Sequence, residues 1–391
     1  MDRRLRTALI IFPIILLVSV SVPPSLQETT PFSDAEDSFI KYYEVDYSIT
    51  FNVTFHNNEV YQINNLNVWI SQIGNWTIED TEMTFIQRSR IQSLTPAPTS
   101  ILSDLNNPAN QILYFNISIP ADSSYVISLK YDILSAEGLW LINPVSISPY
   151  NTSSDLYLNY TKAEEFIESD NSLVVSLAQQ IAGNVTNPFL VARRFYEWVS
   201  TSIQYQIQSE ERGAVWAINN RRGDCSEYSD LLIALCRSQG IPARKITGWA
   251  FSDLAANFIP GIYNYKDYPA HAWVEIYFEG YGWMVVDPTW ANSGFYYFGR
   301  IDPFHLITTK GQKTTTSDWS VNEFSFLMYQ TTGNPDISDS ISIHIEISRV
   351  SSFIKSYSLE YTAMFLAVSG LILISIGVIS KKTFRKHLEP A

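Results

Sequence analysis

Cysteine is scarce in this chain: Cys225 and Cys236 are its only two in 391 residues. A disulfide-stapled scaffold is therefore excluded. Both cysteines fall in one helical pattern, eleven residues apart, so about 16 Å separates them at the α-helical rise. That exceeds disulfide reach, and Cys225 is left as a free thiol. Basic residues are also few, 26 Lys and Arg against 39 Asp and Glu, for a net charge of −13. Phosphate binding needs clustered Lys and Arg. No such cluster occurs outside the two termini, so nucleic acid is excluded as a partner. No internal repeat is found. With 46% hydrophobic residues, general disorder is excluded as well. Aromatic residues are abundant at 14%, many of them Tyr and Phe in alternating runs, which favours β-structure over a helical bundle. The length suits two domains.

Both ends carry membrane signals. Arg3, Arg4 and Arg6 precede an apolar run from Ala8 to Val20. Residues 1–27 read as a secretory signal peptide or, uncleaved, an N-terminal anchor. Ser19 and Ser21 offer small residues for cleavage, with Pro23 and Pro24 just beyond. Leu359 to Ser380 is almost wholly apolar, with Glu360 at its outer end. Residues 359–380 are long enough to cross a bilayer as a transmembrane helix. Lys381, Lys382, Arg385 and Lys386 follow, in a basic tail over 381–391. Positive residues stay on the cytoplasmic side, which predicts a cell-membrane protein with residues 30–355 extracytoplasmic. It is single-pass if the N-terminal segment is cleaved and two-pass if not.

Residues 38–150 read as an all-β sandwich domain. Ser38–Phe55 alternates, with Tyr43, Val45, Tyr47, Ile49, Phe51, Val53 and Phe55 on one face. Leu66–Ile70, Ile112–Ile119 and Tyr125–Tyr131 repeat the habit. Thr95 to Asn110 is rich in Pro, Ser and Asn and reads as a loop. Asn52, Asn75, Asn116, Asn151, Asn159 and Asn184 each open an N-x-S/T triplet, and none follows residue 190. That clustering suggests a surface-exposed, glycosylated N-terminal module.

From about residue 160 the period changes. Thr161–Ser169, Ser172–Ala182 and Pro188–Ser202 read as helices, and another covers Asp224–Gln239, stopping at Gly240 with Pro242 beyond. Strands are expected at Ala243–Phe251, His271–Phe278 and Trp283–Asp287. Helices before antiparallel strands give an α+β order over 160–307. Residues 308–322 and 331–340 read as polar connectors, and Ile341–Ile347 as one more strand within 308–357.

The chemistry lies in three short stretches. In Arg222–Tyr228, Asp224 can cap a helix and Glu227 can reach back, much as in a capping box. Cys225 then occupies the first turn, where the positive end of the helix favours the thiolate and unpaired N–H groups can hold an oxyanion. Asp224 opposes this with a nearby negative charge. His271 opens one strand, Asp287 closes the next, and Gly280-Tyr281-Gly282 joins them. Folding that hairpin brings position 287 near positions 271–274. A Cys nucleophile needs a base, and the base needs an orienting partner. Each residue has a plainer reading: a small buried hydrophobe, a structural histidine, a turn Asp before Pro. Cys236, among Leu231, Leu232, Ala234 and Leu235, takes the plain one. Cys225 lies among polar residues and does not. A metal on Cys225 and His271 lacks further ligands at suitable spacing, so no metal is expected.

The runs GDCSEYSDLLIALCRSQGIPARKITGWA, HAWVEIYF and GWMVVDPTW, within residues 188–307, resemble the transglutaminase-like superfamily. The resemblance implies a papain-like α+β core in which Cys225 is the nucleophile, His271 the base and Asp287 the orienting residue. Gly240 to Arg244 looks like the family's linker out of the nucleophile helix. A β-rich module, this core and a C-terminal span resemble the layout of membrane-bound prokaryotic members. The calcium sites of animal members and the zinc cysteine pairs of peptide N-glycanases have no counterpart here, and no cofactor is implied. For the aromatic that assists the oxyanion, Trp198 and Trp216 are candidates. The implied activity is acyl transfer from protein or peptide amides through a thioester, with water or a lysine amine as acceptor. A catalytically idle scaffold that binds a surface partner is the alternative.

Overall fold

The computed structural model describes residues 39–352 apart from 78–84, 257–258, 267–269, 292–295 and 323–325. The expected N-terminal signal, transmembrane helix and basic tail lie outside the described residues. Among the described residues, no helix is long and apolar enough to cross a membrane.

The alternation at the N-terminus folds as one long strand, Phe39–Asn57. Period-2 side chains send Val45, Tyr47, Ile49, Phe51, Val53 and Phe55 to one face, and all six are buried. The strand pairs antiparallel with Ser123–Trp140 on one side and Ile337–Ser352 on the other. Phe51 thereby stands level with Leu129 and Ile343, which continue its apolar row. A second sheet, with Ile63–Ser71 and Gln111–Ile119 at its centre, supplies the facing layer through Leu66, Val68, Leu113 and Phe115. Each such side chain contributes about 1.5–3 kcal/mol by leaving water.

Chain order and spatial order differ here. The strand expected over Ile341–Ile347 runs over Ile337–Ser352 and joins the N-terminal sheet beside the first strand. Its Ile341, Ile343, Ile345 and Ile347 are buried in that layer. Trp249, Phe251, Phe304 and Leu306 of the following core enter the same layer. The β-rich region and the core are thus one packed body rather than two modules in tandem.

The core sets a helical layer against a four-stranded sheet. Helices α1 (Asp155–Thr161), α2 (Ser172–Ala182), α3 (Pro188–Ser202) and α4 (Ala214–Asn220) precede α5 (Cys225–Ser238). Beyond its first turn α5 is apolar on most sides, and Leu231 to Cys236 are fully buried. Such a helix belongs at the centre of a core, and α2, α3 and α4 all pack on it. The sheet runs in the order Gly282–Val286, Ala270–Phe278, Ala243–Ala250, His305–Lys310.

Three expectations need correction. The helix read over Thr161–Ser169 lies at Asp155–Thr161 instead, capped by the Ser154 hydroxyl. Beyond it Lys162 is extended, and Glu164 and Ile167 exchange backbone hydrogen bonds across a tight turn with Phe166 at φ 68°. The 95–110 segment carries an edge strand, Ser100–Ser103, beside Gln111–Ile119. The 308–322 connector carries Lys313–Thr315 and Ser320–Asn322 and the end of His305–Lys310. Its buried face is made of Thr308, Thr309, Gln312 and Thr314, so polarity there hid a packed structure.

Candidate active site

Helix α5 opens with the expected capping box. The Asp224 side chain accepts from the backbone of the first turn, and the Glu227 carboxylate accepts from Asp224 N at 2.9 Å. Glu227 also accepts from Arg212 N at 2.8 Å, and Asp224 from Gln208 N at 2.9 Å. Segment 208–212 is thereby tied to the helix entrance. Gly223 is required there, because a Cβ would meet Glu227 Cβ at 2.4 Å. Cys225 is the first helical residue and is half-buried, whereas Cys236 is fully buried and burial pushes its thiol pKa up.

The hairpin delivers the other two expected residues. Val274 stands opposite Val286, so Asp287 continues across from Trp273, diagonal to His271. His271 Nε2 lies 2.8 Å from Asp287 Oδ2. The second oxygen of Asp287 accepts from Thr289 N at 2.8 Å and Trp290 N at 3.2 Å. Burial disfavours a charged His271, but Asp287, by charge and hydrogen bond, and then Cys225 outweigh it and raise the pKa to about 9. Burial also pushes Asp287 up, yet His271 and then His305 hold it well below the usual carboxylate range. Cys225, His271 and Asp287 thus form one interacting group. Since Nε2 serves Asp287, Nδ1 is the nitrogen left for the thiol.

The structure adds residues that the sequence did not reveal. His305 Nε2 lies 3.2 Å from the same Asp287 oxygen, and its Nδ1 lies 2.6 Å from Asp302 Oδ2. Asp302 also accepts from Tyr297 OH at 2.7 Å and from Phe304 N at 2.7 Å. Trp290 lies 5.3 Å from the His271 ring and 4.6 Å from His305, and Trp273 5.9 Å and 5.3 Å. These indoles shield the charged groups from water and strengthen their interactions. The oxyanion candidates Trp198 and Trp216 are covered by the guanidinium groups of Arg221 and Arg222, at 4.7 Å and 5.7 Å from the rings. Tyr205 is the aromatic beside the thiol: burial, then the charges of Cys225 and Asp224, push its hydroxyl up to about 12.

His271, Asp287 and His305 each offer a ligand-type atom, all within 4.8 Å of one another. A third such group was missed because His305 is remote in sequence from the other two. Their geometry is that of a proton network. Both Nε2 atoms point at one carboxylate oxygen, so each carries a hydrogen there, and a metal would need those same atoms bare. A groove of about 930 Å³ lies elsewhere, on the β-rich region among Arg88, Arg90, Lys130 and Asp132.

Comparison with known proteins bears on the fold of this region. Residues 175–288 match the sequence profile of the transglutaminase-like superfamily. An uncharacterized protein of Bacillus subtilis (strain 168), YebA, is 27% identical over 143 residues, covering 33% of this chain and 19% of that protein. A protein-glutamine gamma-glutamyltransferase of Pseudomonas aeruginosa is 35% identical over 74 residues, covering 18% of this chain and 10% of that enzyme. The match thus spans a fifth or less of either relative. In three dimensions the chain is similar to a Cytophaga hutchinsonii protein named as a candidate cysteine protease. The TM-score is 0.53 at 17% identity, with 82% of this chain and 94% of that one covered, a likeness of fold. The chain is built around a core of the transglutaminase-like superfamily, preceded by a β-rich region.

Proposed function

We propose that this chain is a thiol acyl-transfer enzyme acting on protein or peptide amides, with Cys225 as nucleophile, His271 as base and Asp287 as orienting residue. The observation that carries the reading is a half-buried thiol at a helix start that interacts with a buried imidazole, itself hydrogen-bonded to a buried carboxylate. Cys225 Sγ attacks the amide carbon, and its proton passes through His271 to the leaving amine. The positive end of α5, at the Cys225 N–H, stabilises the developing oxyanion. The resulting thioester is then taken by water or by an amine, again with His271 as base. Hydrolysis is the preferred outcome and crosslinking the second. The basic flanks of the two apolar runs support a membrane anchor with the site outside the cell.

The test is to incubate the full-length chain with dimethylated casein, with and without a dansylated primary amine. New peptide ends report hydrolysis, and bound dansyl reports transfer. Cys225→Ala should lose either signal by at least about a thousandfold, and Asp287→Asn by roughly 10²–10⁴. No wild-type turnover, together with iodoacetamide labelling of Cys225 no faster than that of Cys236, would leave an idle scaffold as the function.

A further inference from the structure

The group around His271 continues past Asp287, and that continuation sets the chemistry of the base. His305 has a carboxylate oxygen at each ring nitrogen, Asp287 at 3.2 Å and Asp302 at 2.6 Å. Ionised carboxylates only accept hydrogen bonds. Asp302 accepts from Tyr297 OH and Phe304 N, and although burial pushes its carboxyl up, His305 and then these donors hold it below its usual range, so it is ionised and has no hydrogen to give. Both nitrogens of His305 must therefore be donors, and the ring is an imidazolium. Its pKa agrees: burial lowers it, but Asp302 and Asp287 raise it to about 9. The two imidazole rings stand 5.6 Å apart and share one oxygen of Asp287.

We propose that His305, fixed as a cation by Asp302, is a positioning residue that divides the charge of Asp287 between two imidazoles and so keeps His271 less basic than a carboxylate of its own would make it. The inference rests on the thiol-enzyme reading above. A base that must accept and return a proton works best with a proton affinity near working pH. A buried carboxylate serving one imidazole alone would hold that proton too firmly. The shared oxygen and the second cation relax that hold. Gly248 allows the geometry. It stands opposite His271 on one side and Ile307 on the other, and a Cβ there would strike Leu306 O at 1.9 Å. The strands that carry the two histidines can therefore close on it.

The charged and titratable groups facing this system are few. His271 meets Asp287, Cys225 from α5 and the His305 ring. His305 meets Asp287, Asp302 and the Tyr297 ring. Tyr196 and Tyr205 feel the charge of Asp287, Tyr205 also feels Cys225, and Tyr47 feels Asp302. Arg300 acts on Tyr297 while paired with Glu137.

The experiment is the pH profile of Cys225 alkylation by iodoacetamide in the full-length chain, followed by mass spectrometry. An ion-paired thiol shows one rise as the thiolate forms and a second, alkaline rise as the imidazolium loses its proton. His305→Gln keeps a donor toward Asp287 and removes the cation. The alkaline rise should then move up by about 0.5–2 pH units, as Coulomb's law gives for unit charges at the 5.6 Å ring separation. Asp302→Asn, which strips His305 of its anchoring charge and also removes a more distant anion, should move it the same way by less. An alkaline rise unmoved in both variants, with only the overall rate lowered, would overturn the proposal while leaving the thiol-enzyme reading intact. A wild-type Cys225 whose profile has a single rise and ignores His271→Ala would overturn both. Cys236, buried in the intact fold, reports unfolding by becoming labelled.

Discussion

Two buried charged networks flank α5, and they do different things. One joins Lys245 Nζ to Asp230 Oδ1 at 2.7 Å and to Glu211 Oε1 at 2.6 Å, with Gln312 donating to Glu211 at 2.8 Å. The other runs from Cys225 through His271, Asp287 and His305 to Asp302. Both lie in the core and both alternate in charge. The first is closed: one cation serves two anions, and Lys245 and Asp230 have no exposed surface. The second ends at a half-buried thiol. Buried charge alone does not mark a reactive site. An alternating chain that ends at a reachable nucleophile does. The closed network also serves the open one, because it ties α5 to strand Ala243–Ala250, whose two neighbours carry His271 and His305.

The sharpest way to separate the two is to cut each. Lys245→Ala leaves Asp230 and Glu211 as buried anions without their cation. Removing one partner of a buried pair costs about 3–5 kcal/mol, so urea denaturation should show a loss of that size. A loss under 1 kcal/mol would mean that water reaches the network and that it does not hold α5.

The open network should instead respond to pH. The pKa values of His271 and His305 rise from 6.5 unfolded to about 9 folded, as the nearby carboxylates outweigh burial. A raised pKa means that the fold binds the proton more tightly. The stabilisation is therefore complete below about pH 6.5 and is lost as pH rises through about 9. With two groups raised by about 2.5 pH units each, at about 1.4 kcal/mol per unit, stability should fall by roughly 5 kcal/mol across that window. In His305→Gln the fall should be shallower, and a flat wild-type profile would show that neither ring is charged in the fold.

The two networks also differ in how legible they were. Cys225, His271 and Asp287 each sit at the start or end of a regular element, and a three-residue turn joins the last two elements, so local pattern sufficed to bring His271 and Asp287 together, while the family resemblance joined Cys225 to them. His305 and Asp302 gave no such signal. Strand His305–Lys310 finds Ala243–Ala250 across some fifty intervening residues. Lys245 and Asp230 carry no motif that would announce their burial. In the β-rich region the inward row of Phe39–Asn57 was legible from its period. Its partnership with Ile337–Ser352 was not, because periodicity names a strand and not its neighbour. The Thr- and Gln-lined strands after residue 308 were hidden for the opposite reason, since burial there is satisfied by hydrogen bonds such as Thr308 Oγ1 to Thr247 O at 3.0 Å.

An exposed pair supplies the low end of the scale. Arg90 lies 2.5 Å from Asp132 on the β-rich surface, with the Arg side chain 80% exposed. Its geometry matches that of the Lys245 pairs, but its surroundings do not. Water solvates both partners when the contact opens, and Asp132 retains its hydrogen bond from Gln92, the strongest influence lowering its carboxyl pKa. Exposed pairs are worth about 0–1 kcal/mol. Arg90→Ala should therefore shift the urea midpoint slightly, and the shift should shrink further in 1 M salt as the charges are screened. If Arg90→Ala cost as much as Lys245→Ala, distance rather than burial would govern these pairs, and the contrast between closed and open networks would lose its physical basis.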